Sequence, residues 1–202
     1  MGHRAKSHER CLVCKMHQEL CICDAIPKLD VLTRVVLIMH RRECAKTTAT
    51  GPLALLALPN SELHIHGHRE APLNFESLKD PARRALLLFP DDDVPVLTPE
   101  WLRSSTSIPD RPITLVVPDG SWRQAKKMSV RIPGLEHAER VRLPEGPPSA
   151  YQLREETRYE GLATFEAIAR ALGCIESKDV QTQLETLFNL MVKRTLSTRG
   201  VK

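Results

Sequence analysis

A chain of 202 residues suits one α/β domain with room for a small appendage. At 42% hydrophobic and 27% charged residues its balance is that of a globular protein, which excludes the disordered and fibrous classes. Net charge is +4, from 29 Lys and Arg against 25 Asp and Glu, too mild to demand a nucleic-acid partner.

No apolar run approaches the roughly 20 residues that span a membrane. The basic stretch MGHRAKSHER has no apolar segment behind it and does not read as a secretory signal. A cytoplasmic protein is expected, with no membrane association and no obligate protein partner.

Residues 1–27 lack hydrophobic periodicity and are rich in cysteine, which predicts a small module ending near Pro27 and a main domain over 28–202. Cys11, Cys14, Cys21 and Cys23 form C-x2-C-x6-C-x-C. Four thiolates complete a closed tetrahedral zinc site, and the metal folds a segment too short to hold itself. A Cys11/Cys14 redox pair is the alternative, but it leaves Cys21 and Cys23 unexplained. His17, between the pairs, is a substitute ligand. Of the two isolated cysteines, Cys44 and Cys174, the second reads as a small buried hydrophobe.

RVVLIMH (34–40) has the length and β-branching of a buried strand. GPLALLAL (51–58) opens with Gly-Pro and predicts a helix. ELHIH (62–66) and ALLLFP (85–90) predict further strands, and PITLVVPD (112–119) is the clearest of all. From Ser121, SWRQAKKMSVRI reads as an N-capped helix. AERVRLP (138–144) alternates like a strand, and the Pro-rich LPEGPPS (143–149) is a loop. TFEAIARALG (164–173) predicts an amphipathic helix ending in a glycine cap. Val180, Leu184, Leu187 and Met191 recur at helical spacing in a last helix. Strands alternating with helices predict an α/β sheet with parallel pairings.

Basic residues gather in residues 1–15, in HRRECAK (40–46) and in WRQAKKMSVR (122–131). These segments either form a phosphate-binding face or are solvated surface, and charge alone leaves both open. Asp119-Gly120-Ser121-Trp122 stands where a strand meets a helix, with one of the two tryptophans in the chain. Glycine there permits a sharp turn. The acid can accept or orient a proton, and the indole can stack on a planar base; equally, Asp119 can serve as a cap and Trp122 as core. SAYQLREET (149–157) brings a tyrosine and an arginine that suit a ligand carboxylate, although Arg154 can also pair with Glu155 or Glu156 at the surface.

In this order, the C-x2-C-x6-C-x-C cluster, His40-x2-Glu43 with Thr48-x-Thr50-Gly51, the D-G-S-W turn and Ser149-x-Tyr151-x-Leu153-Arg154 resemble the DTW-domain family of tRNA-uridine aminocarboxypropyltransferases. The resemblance covers nearly the whole chain. It implies a fold related to SPOUT-type RNA methyltransferases: a sheet with helices on both faces and a C-terminal trefoil knot. It also implies a reaction in which the 3-amino-3-carboxypropyl group of S-adenosylmethionine moves to N3 of a tRNA uridine. On that pattern Asp119, Ser121 and Trp122 form the catalytic group. Leu143, Ser149, Tyr151, Leu153 and Arg154 would hold the donor. His40, Arg41, Arg42, Lys46, Thr47, Thr50, Arg123, Lys126 and Lys127 would meet tRNA. Zinc would be structural or help to grip RNA. The chain departs from the pattern at Ser121, which replaces threonine, and at Ala49, which replaces asparagine. A SPOUT-like methyltransferase and a zinc-stabilised RNA-binding protein are the rival readings.

Overall fold

The computed structural model describes residues 10–46, 49–68, 70–104, 111–151 and 161–198. Five strands, β1 (Arg34–His40), β2 (Ser61–His66), β3 (Arg84–Leu88), β4 (Ile113–Asp119) and β5 (Glu139–Val141), form one sheet in the order β2-β1-β4-β3-β5. Every pairing is parallel. The reason is visible in β1, β3 and β4, whose apolar runs are buried on both faces, as parallel sheets require.

The helices are α1 (Gly51–Leu56), α2 (Pro99–Ser104), α3 (Trp122–Arg131), α4 (Thr164–Ile175) and α5 (Lys178–Thr198). On one face Val35, Leu37, Leu86, Leu115 and Val117 share a core with Leu53 of α1, Ile168 and Leu172 of α4, and Leu184 and Phe188 of α5. On the other, Val36, Ile38, Leu87 and Val116 meet Met128 of α3 and, from the connections, Phe75 and Leu135. Each leucine or phenylalanine so buried contributes about 1.5–3 kcal/mol. None of the described helices is long and apolar enough to cross a membrane.

The main elements fall where the sequence places them, with two differences. AERVRLP forms only the three-residue β5, after which Val96 bridges Arg142 in parallel. Helix α4 does not stop at Gly173 but runs on to Ile175. A Cβ on Gly173 would lie 2.1 Å from Oε1 and 2.9 Å from Cβ of Gln181. The glycine therefore makes room for α5 to cross closely. The C-terminal knot is an expectation on which the described residues do not bear, since 152–160 lie outside them.

Residues 10–27 pack on the first of these cores. Cys14, Met16 and Ile22 are buried in the cluster that holds Met191 and Val192 of α5. Arg194 of α5 donates to the carbonyls of Leu20 and Cys21.

Candidate active site

The connection leaving β1 runs to β2 on one side, and that leaving β4 runs to β5 on the other. Such a reversal opens a crevice beyond the carboxyl ends of two adjacent strands, where α/β domains receive ligands. Asp119 ends β4 at this point, in register with Met39 of β1. Its place at the end of a buried strand predicts a side chain that emerges at the sheet edge rather than inside. Asp119 is instead only 6% exposed, because the period of two puts it on the same face as Leu115 and Val117, under α1 and α4. The Thr164 hydroxyl donates to its Oδ1 at 2.7 Å, which offsets part of the cost of burying a carboxylate.

Gly120 does not use left-handed backbone, which among the described glycines is adopted by Gly67 and Gly134. It contributes space: a Cβ there would come within 3.0 Å of Gln124 Cβ and 3.4 Å of His40 Cβ. Ser121 takes the N-cap position of α3, and its N–H and hydroxyl donate to Oε1 of Gln124 at 2.8 and 3.0 Å. Trp122 opens α3 half-buried, its ring edge-to-face with Phe89 at 6.4 Å. Acid and indole are thus held by different neighbours, Thr164 and Phe89.

At the end of β1, His40 lies 6.2 Å from His66, its register partner on β2. Burial, then the neighbouring His66 and Arg42, hold His40 below the ordinary histidine pKa, and burial does the same for His66. Arg41 and Arg42 are exposed. Lys46 pairs at 2.6 Å with Glu43, a carboxylate only 2% exposed, so part of its charge is spent within the protein. Thr50 is buried, and its hydroxyl accepts from the Phe165 N–H at 3.3 Å. It faces α4, not the surface. Thr47 lies outside the described residues. Arg123, Lys126 and Lys127 are exposed at i, i+3 and i+4 on α3 and form one basic stripe.

The loop after β5 comes back over α4. Leu143 packs on the core and Tyr151 is buried with its ring 5.8 Å from Phe188. Ser149 donates to Glu166, which also accepts from the N–H groups of Ala150 at 2.8 Å and Ala163 at 2.9 Å. Arg170 donates to the Pro147 carbonyl at 2.7 Å. Leu153 and Arg154 lie outside the described residues. Thr164 and Glu166 carry no signal in the sequence that sets them apart as site residues. Their roles come from contacts with distant segments.

The four N-terminal cysteine sulfurs all lie within 4.8 Å of one another, with Cys11–Cys23 at 3.5 Å and Cys14–Cys21 at 3.8 Å. A tetrahedral S4 site with Zn–S near 2.3 Å has edges of roughly 3.8 Å, so the cluster fits a metal ion of that kind. Backbone N–H groups of Cys14 and Val13 draw the Cys11 thiol down to about 6, while the thiols around it, Cys21 foremost, and burial push Cys23 up to about 12. Lys15, at φ 60°, turns the chain after the first pair, with its N–H on the Cys11 carbonyl at 3.0 Å. His17 is half-buried beside the cluster but is not part of this group of four sulfurs.

A family model described as DTW domain matches residues 8–196. Curated relatives named tRNA-uridine aminocarboxypropyltransferase 2 include one from Macaca fascicularis, 28% identical over 180 residues, 87% of this chain and 59% of the relative. Another, from Drosophila melanogaster, is 29% identical over 177 residues, 84% of this chain and 67% of the relative. The chain therefore spans about three-fifths to two-thirds of the length of these relatives. Among solved structures, that of the SAM-dependent rRNA:acp-transferase Tsr3 from Vulcanisaeta distributa aligns with a TM-score of 0.49 and 22% identity, covering 82% of this chain and 79% of that one.

Proposed function

The chain belongs to the DTW-domain family, and from that premise we propose that it is a tRNA-uridine aminocarboxypropyltransferase. The observation that carries the reading is the D-G-S-W segment, the family's signature with Ser121 for threonine, at the carboxyl end of β4, where its acid stands beside β1 at the point from which the connections diverge. The names of the curated relatives support the same activity.

In the proposed reaction, N3 of a uridine attacks the γ-carbon of the aminocarboxypropyl arm of S-adenosylmethionine. The new N–C bond forms as the C–S bond breaks, and the electron pair leaves with methylthioadenosine. The N3 proton passes to a base. All three carbons on the sulfonium are electrophilic, so the site selects one by orientation. Asp119 orients the imide or accepts its proton, Trp122 stacks on the base, and Ser121 shapes the turn that carries both. Leu143, the Ser149–Tyr151 segment, Leu153 and Arg154 take the donor. His40, Arg41, Arg42, Lys46, Thr47, Arg123, Lys126 and Lys127 take the tRNA, with Thr50 bracing the loop from within. The fold carries a SPOUT-like C-terminal knot, with a metal-binding module over 1–27 and a catalytic domain over 28–202. Zinc on the four cysteines supplies cross-linking of that module, with no part in bond making. Function in the cytoplasm accords with tRNA as substrate.

Mass spectrometry of tRNA nucleosides after incubation with protein and donor tests this reading. Aminocarboxypropyl-uridine and methylthioadenosine are expected. S-adenosylhomocysteine in their place would make the protein a methyltransferase, and RNA binding without any donor-derived product would make it a binding protein.

A further inference from the structure

The first turn of α4 reaches two parts of the site at once. Thr164 donates its hydroxyl to Oδ1 of Asp119 at 2.7 Å, across 45 residues of sequence. Two residues on, Glu166 is 5% exposed. Its carboxylate gathers the Ser149 hydroxyl and the N–H groups of Ala150 and Ala163. Oε2 accepts from both the Ala163 N–H at the start of the helix and the Ser149 hydroxyl, while Oε1 accepts from the Ala150 N–H in the loop before Tyr151. The helix itself is anchored beneath by Phe165 and Ile168, both fully buried.

We propose that this turn is the positioning element of the transfer: Thr164 fixes the Asp119 carboxylate, and Glu166 fixes the Ser149–Ala150 backbone at one distance from it. The proposal rests on the transferase reading above, since it assigns Asp119 to the uridine side and the loop to the donor side. A transfer that must choose one of three sulfonium carbons depends on that distance, and a misplacement of about 1 Å can cost roughly 100-fold in rate. A packed helix holds such a spacing better than a loop does. Neither residue needs to touch a reacting atom. Both act through another group, so their loss should separate in the kinetics.

The test compares Thr164→Val, Thr164→Ser and Glu166→Gln in the full chain, by methylthioadenosine release with tRNA, calorimetric donor binding and thermal melting. Thr164→Val keeps the shape and removes the donor hydrogen. It should lower kcat tenfold or more with donor affinity within about twofold of wild type, and Thr164→Ser should restore most of the rate. Glu166→Gln should weaken donor affinity about tenfold with a smaller effect on kcat. Wild-type kcat in Thr164→Val, or a Thr164→Ser protein no better than Thr164→Val, would overturn the proposal. So would unchanged donor affinity in a folded Glu166→Gln protein. Should Glu166→Gln fail to fold, the two Thr164 variants decide alone. Wild-type protein that transfers nothing would bring down the transferase reading, and this proposal with it. Transfer by wild type and Thr164→Val alike would bring down the proposal only.

Discussion

Gly51 and Asp119 stand so close that a Cβ on the glycine would lie 2.9 Å from Oδ2 of the acid, and 2.8 Å from Cδ2 of Leu37. Helix α1 can begin against the buried end of β4 only because this position has no side chain. Gly51→Ala should therefore cost about 1–3 kcal/mol of stability through overpacking. It should also displace the carboxylate and lower transfer tenfold or more. Urea unfolding and the transfer assay measure the two effects separately. An alanine protein equal to wild type in both would reduce Gly51 to a helix-opening residue.

Asp119→Ala should abolish transfer while donor affinity and the fold persist, because the acid is assigned to the uridine side. An acid that served only as the hydrogen-bond partner of Thr164 would cost stability, about 1.5–3 kcal/mol for a bond to a charged group, and leave the chemistry alone. Nucleoside analysis and calorimetry on one preparation distinguish these. A folded alanine variant that still modifies uridine near the wild-type rate would return Asp119 to a structural role.

One metal ion per chain is expected on Cys11, Cys14, Cys21 and Cys23, with zinc as the ion found by elemental analysis of protein purified without added metal. Cys11→Ser should lose the ion, and so should prolonged chelation. Both should loosen the packing of Met16 and Ile22. Recovery of a Cys11–Cys14 disulfide with no metal would refute the assignment.

Replacing Lys126 and Lys127 by alanine should weaken tRNA binding and make it less sensitive to salt. If each meets a phosphate, the slope of log K against log salt falls by about 0.7–0.9 per residue. Donor binding should stay as it is. Equal losses for donor and tRNA would take this stripe of α3 out of the RNA interface. Lys46 should have a smaller effect than either, since Glu43 already holds its ammonium at 2.6 Å.

His40 and His66 are both held below the ordinary histidine pKa, chiefly by burial. The unfolded chain therefore binds more protons than the folded one between the folded and unfolded values. The sign follows: stability is complete above about pH 6.5 and declines as pH falls through the lowered folded values. Urea unfolding at pH 7.5 and pH 5 should show the decline, and replacing both histidines by asparagine should reduce it. An unchanged pH dependence in the double variant would place the titration elsewhere.

Much of this fold can be read from the sequence because β1, β3 and β4 are covered on both sides, so each is a nearly unbroken apolar run with clear ends. Gly173 misleads because its local signal, a helix stop, is overridden by the close passage of Gln181 from another helix. The six residues of α2 are too few to show a period. The same division runs through the site. D-G-S-W marks the end of β4 by local chemistry alone. The burial of Asp119, the hydroxyl of Thr164 and the reach of Glu166 to Ser149 depend on segments 45 and 17 residues apart. No pattern within a single element encodes such meetings.

The grip of Arg194 on the Cys21 carbonyl joins residues 173 positions apart, and this gives the molecule an order in time. On a ribosome adding about 5–20 residues per second, the cysteine segment emerges on the order of ten seconds or more before the part of α5 on which it rests. In that interval the four thiols stand on a nascent chain with no docking surface. Metal or oxidant can reach them before the surface that later shelters Met16 and Ile22 exists.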